Sequence, residues 1–156
     1  MKRNKIVILS TVVFFLACER DTKLTVEGGN PPKFIMTGSG RLTTMQVGGP
    51  QKQREGVAEE PYLYWVIECK ETGSARHVES LGPIVYGEVP SGYVQVHPSP
   101  GTAPPPLSED EGYSVRAITM NANGASLKFA IHKGEVIVDP VMRNGKPQPS
   151  PSATRD

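Results

Sequence analysis

Alternating apolar and polar positions recur along most of the chain at intervals of about ten residues. The strongest run, 62–69, is rich in aromatic and β-branched residues, which favour strands. Alternation places Leu63, Trp65, Ile67 and Cys69 on one face, so the only tryptophan of the chain is predicted to anchor a core. The same pattern predicts further strands at 33–37, 41–47, 84–86, 93–97, 113–121, 125–132 and 135–139.

Two local details follow from this pattern. Within 41–47, strict alternation predicts that Leu42 lies on the opposite face from Met45 and Val47. The last two predicted strands are separated by Lys133-Gly134, which is typical of a tight hairpin turn.

The segments outside the strands divide the chain. Residues 18–32 are mostly polar and close with Gly-Gly-Asn-Pro-Pro, which predicts a tether. Residues 51–60 are charged and lack periodicity, so we expect a loop, and 141–156 are rich in proline and serine, which predicts a disordered tail. The folded domain is therefore predicted at 33–140, as an all-β antiparallel sandwich of about seven or eight strands.

The segment 107–124 resembles the corner and penultimate strand of a fibronectin type III domain. That family has Leu six residues before Tyr, small apolar residues at alternate positions after it, then Asn and Gly, a frame met here by Leu107, Tyr113, Val115, Ala117, Asn121 and Gly124. The resemblance implies an immunoglobulin-like sandwich in which Leu107 closes the core and the Tyr113 hydroxyl bonds main chain upstream. Gly124 is expected to supply a positive φ if the turn needs one. The strand order between Gly38 and Leu107 stays open.

The N-terminus has the order of a secretion signal, in which a basic start is followed by an apolar run at 6–17 and then Cys18. The run of twelve residues covers about 18 Å as a helix, short of a ~30 Å hydrocarbon core. Its end, Phe15-Leu16-Ala17-Cys18, resembles the lipobox of bacterial lipoproteins. The resemblance implies removal of residues 1–17, acylation of Cys18 and a lipid anchor. The alternative is an ordinary signal peptide cut elsewhere, with Cys18 incidental.

Charge and cysteine content narrow the possible partners. When the three basic residues of the leader are removed, 14 Lys+Arg remain against 16 Asp+Glu, so neither nucleic acid nor a polybasic membrane patch is indicated. An acylated Cys18 would leave Cys69 without a disulfide partner, which favours a buried Cys69 acting as a small hydrophobe. In lipoproteins a residue other than Asp after the acylated cysteine, here Glu19, implies sorting to the outer membrane.

The chain shows no pattern of catalytic or ligand residues. His77, His97 and His132 lie on separate segments without metal-ligand spacing, and no nucleophile elbow or phosphate-binding loop is present. The sequence therefore predicts no metal, no cofactor and no enzymatic activity.

The best candidate for a recognition surface is the proline-rich loop at 98–106, since prolines hold an extended backbone at low entropic cost. Its candidate residues are Tyr86, Tyr93, Pro104, Pro105 and Pro106. The alternative is a stiff connector between strands. The function predicted for the whole chain is a lipid-anchored binding or assembly module of the cell envelope, with an envelope protein or polymer as its partner. A structural or adhesion component, or a small hydrolase with a scattered site, stays open beside it.

Overall fold

The computed structural model describes residues 20–49 and 62–139, together with the main chain of 141–143 and 146–148. The predicted leader, Cys18 and the predicted loop at 51–60 lie outside the described residues. The strands, in chain order, are β1 (Thr22–Gly28), β2 (Pro32–Gly38), β3 (Arg41–Gly48), β4 (Leu63–Cys69), β5 (Ile84–Val85), β6 (Tyr93–His97), β7 (Gly112–Met120), β8 (Ala125–His132), β9 (Glu135–Val138), β10 (Val141–Arg143) and β11 (Lys146–Gln148).

Nine of these strands form two antiparallel sheets. The smaller sheet has the order β1-β2-β5, and the larger has the order β6-β4-β3-β7-β8-β9. In an immunoglobulin-like sandwich, strands A, B and E share one sheet while C, F and G are neighbours in the other. Strands β1, β2 and β5 against β3, β7 and β8 follow the same division. The prediction of an all-β antiparallel sandwich is confirmed, and the strand order left open by the sequence is now defined.

The core lies between the two sheets. Phe34 of β2 meets Phe129 of β8 edge to face, with ring centroids 5.9 Å apart, and Trp65 meets Tyr86 at 5.5 Å in the same manner. Such aromatic pairs contribute about 0.5–1.5 kcal/mol beyond the area that they bury. Trp65 is fully buried, as predicted.

Strand β3 departs from the predicted alternation. Leu42 is fully buried together with Met45 and Val47, although it was expected on the opposite face. The reason is a register shift against β7 between Leu42 and Thr44, where one extra residue leaves the ladder. A bulge of this kind changes the alternation by one residue, which brings Leu42 to the core side.

Strand β1 corrects the predicted tether. Residues 22–28 pair with β2 over the whole length of the strand, from Thr22 opposite Gly38 to Gly28 opposite Pro32. Thr22 and Val26 are buried and Leu24 packs against the core, so this polar-looking stretch carries a narrow apolar face with a period of two. The folded domain therefore begins well before residue 33.

Part of the predicted disordered tail is paired main chain, while residues 144–145 and 149–156 of that tail lie outside the described residues. Strands β10 and β11 pair as an antiparallel hairpin within the segment that composition assigned to a disordered tail. The two strands are separated in sequence by Asn144-Gly145, a strong hairpin signal.

The turns at the ends of β7 and β8 match their sequence signals. Lys133 and Gly134 have φ values of 53° and 77°, the pair of positive angles that a type I′ hairpin turn requires.

The Tyr113 hydroxyl accepts a hydrogen bond from the main-chain N–H of Ser108 at 2.7 Å. This is the bond expected of a tyrosine corner, and Leu107 beside it is buried.

Within the described part of the chain, helical structure is limited to two single-turn 3-10 segments, Thr72–Ser74 and Val78–Ser80. No helix there has the length and apolar character needed to cross a membrane.

Candidate binding surfaces

Tyr86 lies in the core rather than on a recognition surface. Its ring packs against Trp65, and its hydroxyl donates to the carbonyl oxygen of Pro105 at 2.8 Å. Burial, followed by the nearby Tyr113 and Tyr64 phenols, raises the pKa of Tyr86 above its ordinary value, so the hydroxyl stays protonated and able to donate. The structure thus corrects the assignment of Tyr86 to a binding surface.

Tyr93 is also buried, because the alternation of β6 points it inward. Its hydroxyl donates to the carbonyl oxygen of Leu42 at 2.8 Å and accepts from the main-chain N–H of Arg76 at 3.4 Å. Burial raises the pKa of Tyr93, and the bond from the Arg76 N–H partly offsets this rise. The Tyr93 hydroxyl therefore connects β3 with the segment between the two 3-10 turns, and it is not available to a partner.

The proline-rich loop is tied to the sandwich through Gln95. The buried Gln95 accepts from Trp65 Nε1–H at 2.9 Å, and its Nε2 group faces three main-chain carbonyl oxygens of the loop. These oxygens belong to Thr102 at 2.7 Å, Pro98 at 3.0 Å and Ser99 at 3.3 Å. Gln95 was not among the residues predicted from the sequence, although a glutamine that alternates with valines on a predicted strand signals a polar group directed into a core.

The three consecutive prolines lie at the far end of the same loop. Pro104 is half-buried, while Pro105 and Pro106 are exposed. The Pro105 carbonyl accepts from Tyr86, and the carbonyl of the following Leu107 accepts from Asn30 Nδ2 at 2.9 Å. The structure therefore brings Tyr86 and Pro105 together, but as internal partners, and this favours the stiff connector over the recognition loop.

Strand β6 offers a different surface. It pairs with β4 on one side, and no strand among the described residues pairs with its other side. Lys70 N–H donates to the carbonyl of Gly92, and from this bond the antiparallel alternation directs the main-chain groups of Val94 toward β4 and those of Gln95 toward the open side. An open edge with available N–H and C=O groups is a template for a further strand.

The outward side chains of β6 are apolar. Val94 and Val96 expose 36% and 43% of their surface; Val94 lies opposite Glu68 of β4, and Val96 falls at a register shift between β4 and β6. Edge strands are usually protected by charged residues, proline or bulges. Residues 93–96 contain neither a charged residue nor proline, while the register shift at Val96 and the following His97-Pro98 limit the regular edge to the first part of the strand. The sequence predicted this strand but not its place at an edge of the sheet, because the pattern of one strand does not reveal its neighbours.

The histidines do not assemble into a ligand set. His132 Nδ1 contacts an Asp110 carboxylate oxygen, while His77 lies at the opposite end of the sandwich. No group of three or more His, Cys, Asp or Glu side chains suited to a metal ion occurs within residues 20–49 and 62–139. Cys69 is half-buried against the core, where the sequence predicted a small buried hydrophobe.

In comparisons with known proteins, no family model, no curated protein and no solved structure matches this chain.

Proposed function

We propose that this chain is a lipid-anchored, non-catalytic binding module of a bacterial cell envelope, and that its anchor lies in the outer membrane. Its fibronectin type III-like sandwich binds an extended segment of a partner protein, which adds as a strand to the open side of β6. The single observation that carries the binding role is the open β6 edge with the outward valines Val94 and Val96.

The anchoring part of the proposal is supported by the leader and by where the fold begins. The lipobox-like Phe15-Leu16-Ala17-Cys18 ends four residues before the first residue of β1, Thr22. A sandwich on a membrane surface can meet envelope proteins without crossing the bilayer. The resemblance in the segment 107–124, with its Tyr113 corner bond, supports the proposed domain type.

The binding part is supported by how main chain and side chains combine on β6. Strand addition supplies main-chain hydrogen bonds, which give affinity, while side chains at alternate positions give specificity. On β6 the inward Tyr93 and Gln95 are engaged within the domain, so the strand has a fixed conformation before a partner arrives. A preorganised strand loses less conformational entropy when it binds.

The anchor is tested by the intact mass of the protein extracted from membranes, compared with a Cys18→Ser variant. We expect a mature chain that starts at Cys18 and carries three acyl groups, and we expect the variant to lose both the acyl mass and detergent partitioning. A chain cut elsewhere that stays in the aqueous phase would contradict the anchor.

The binding surface is tested with a photo-crosslinking amino acid placed at Val94 or Val96 in cells. Val138 on β9 is the matched control, since it is an edge-strand valine with 37% exposure. We expect one crosslinked protein from positions 94 and 96, joined through a short segment of its chain. A peptide of that segment should then protect the Gln95 amide from hydrogen exchange.

A charged residue on the same face provides the second arm of this test. Val94→Lys should abolish the crosslink from position 96 without lowering the melting temperature, because residue 94 is exposed, while Val138→Lys should leave the crosslink unchanged. Equal crosslinking from 94, 96 and 138, or crosslinks to envelope polymer instead of protein, would overturn the proposed surface.

A further inference from the structure

A cavity of about 400 Å³ opens at the end of the sandwich where β1 and β3 begin. Three connections meet there, namely the β2–β3 turn, the segment that contains the two 3-10 turns, and the β7–β8 turn. The residues that line the cavity are Arg20, Ser39, Gly40, Arg41, His77 and Asn121.

The main chain beneath these side chains is held by hydrogen bonds between the connections. The Arg20 carbonyl accepts from Asn123 N–H at 2.9 Å, and the Gly40 carbonyl accepts from Val78 N–H at 3.1 Å. Arg41 and His77 face each other across an isolated antiparallel bridge. The stems of the two arginines and the histidine are therefore positioned by folded backbone.

The side chains that line the cavity include no carboxylate. Two acidic residues lie at the same end of the sandwich outside the lining, and each carboxylate accepts a hydrogen bond there. Asp21 accepts from Asn123 Nδ2 at 2.9 Å, and Glu79 accepts from Gly38 N–H at 3.2 Å. Within the described part of the chain, the one ion pair is that between His132 and Asp110, so neither arginine of the cavity has an acidic partner there.

We propose that this cavity binds a phosphate oxyanion, supplied by the headgroup of a membrane phospholipid. The planar guanidinium of arginine matches phosphate with paired N–H donors, and two arginines, Arg20 and Arg41, line this one cavity. Ser39 and Asn121 add hydroxyl and amide groups to the same lining.

The lipid source follows from where the cavity lies in the chain, and this step rests on the proposed anchor at Cys18. Arg20 is two residues after Cys18, so an acylated Cys18 holds the cavity within roughly 7 Å of chain from the membrane surface. Phospholipid headgroups are then the phosphates at the highest local concentration.

The test is titration calorimetry of the full chain in uncharged detergent, with glycerophosphoglycerol as a water-soluble headgroup probe and inorganic phosphate as the second probe. We expect the headgroup probe to bind the unmodified protein and to lose at least about tenfold in affinity in the Arg20→Gln, Arg41→Gln double variant, since a lost charge-assisted bond of about 1.5 kcal/mol corresponds to tenfold. Arg116→Gln is the matched control, because Arg116 is an exposed arginine outside this cavity, and it should bind as before.

Three results would overturn the proposal. They are no binding of either probe, binding of the headgroup probe that the double variant retains, and binding of inorganic phosphate without binding of the headgroup. The single variants Arg20→Gln and Arg41→Gln, each with a melting curve, separate lost binding from lost folding. The measurement takes place in solution, so a failure of the anchor appears in the intact mass and leaves the binding result interpretable.

Discussion

At the scale of a single residue, the β7–β8 turn shows why its glycine is needed. Gly124 does not have the positive φ that the sequence allowed for it; that conformation belongs to Asn121, with φ of 64°. A Cβ on Gly124 would instead lie 2.4 Å from the carbonyl oxygen of Ala117. The glycine is therefore required for the close approach of two backbones, which no single sequence reveals.

The first prediction concerns this contact. Gly124→Ala should lower the free energy of unfolding by about 1–3 kcal/mol, because main chain must shift to admit the methyl group. Gly112→Ala is the control, since a Cβ on that strand residue meets nothing within 4 Å. Urea unfolding of both variants measures the effect, and equal stability of the two would refute the steric explanation.

The second prediction concerns Tyr113 at alkaline pH. Burial is the main cause that raises the pKa of Tyr113 from 10.0 to about 12, while the bond from Ser108 N–H acts in the opposite direction. A raised pKa in the folded state means that folding favours the neutral phenol. The corresponding stability is complete below pH 10 and is lost as the pH rises toward 12.

We expect Tyr113→Phe to lose about 1 kcal/mol at neutral pH, because the Ser108 N–H loses its acceptor. Its stability should then fall less steeply than that of the unmodified protein between pH 10 and 12. Urea unfolding at a series of pH values measures both effects. Parallel pH profiles would show that Tyr113 does not contribute to the alkaline loss.

At the scale of the element, strand positions could be predicted from alternation, whereas irregularities could not. The sequence placed β6 and β8 at their observed bounds, because each has an unbroken pattern between turn signals. The bulge in β3 left no such signal, since Thr43 resembles any residue of a regular strand. Strand β1 was missed because its apolar face consists of Leu24 and Val26 among charged neighbours.

The proline-rich loop at 98–106 lies where the sequence predicted it. Its contacts favour a stiff connector, whereas the sequence made it the best candidate for a recognition surface. Proline content marks the extended loop. The hydrogen bonds that hold it come partly from Gln95, which is three to seven residues from the carbonyls it bonds, and partly from Tyr86 and Asn30, which are distant in sequence. Long-range partners of this kind are absent from any local pattern. The open edge of β6 escaped for the same reason, since strand neighbours are a property of the whole sheet.

The third prediction follows from these contacts. Replacement of Pro104-Pro105-Pro106 by Gly-Ser-Gly should lower the free energy of unfolding by about 1–3 kcal/mol, because the more flexible loop loses more entropy on folding. It should leave crosslinking from Val96 intact. Pro100→Gly, an exposed position of the same loop, is the control and should cost less. An unchanged melting temperature together with lost partner capture would restore the recognition loop.

At the scale of the whole molecule, β1 removes most of the spacer that the sequence predicted between anchor and domain. Only residues 19–21 separate Cys18 from Thr22, so the chain reaches at most roughly 14 Å there even when fully extended. A lipid at Cys18 would hold the sandwich against the bilayer at the end that carries Arg20 and Arg41. The opposite end, at the β8–β9 turn, would point away from the membrane.

The fourth prediction tests this orientation with a genetically encoded fluorescent amino acid at Glu71 or at Glu135, both exposed. Glu71 follows β4 at the Arg41 end, and Glu135 begins β9 at the other. The nine residues of β7 separate the two ends by about 26 Å. With the acylated protein in nanodiscs, a quencher on the lipid headgroup should therefore quench position 71 strongly and position 135 weakly.

Insertion of Gly-Ser repeats between Glu19 and Arg20 should reduce this difference, because a longer spacer lets the sandwich tumble. Equal quenching without the insertion would mean that the short connection does not orient the domain, and the headgroup site would then lose the proximity on which its lipid source depends.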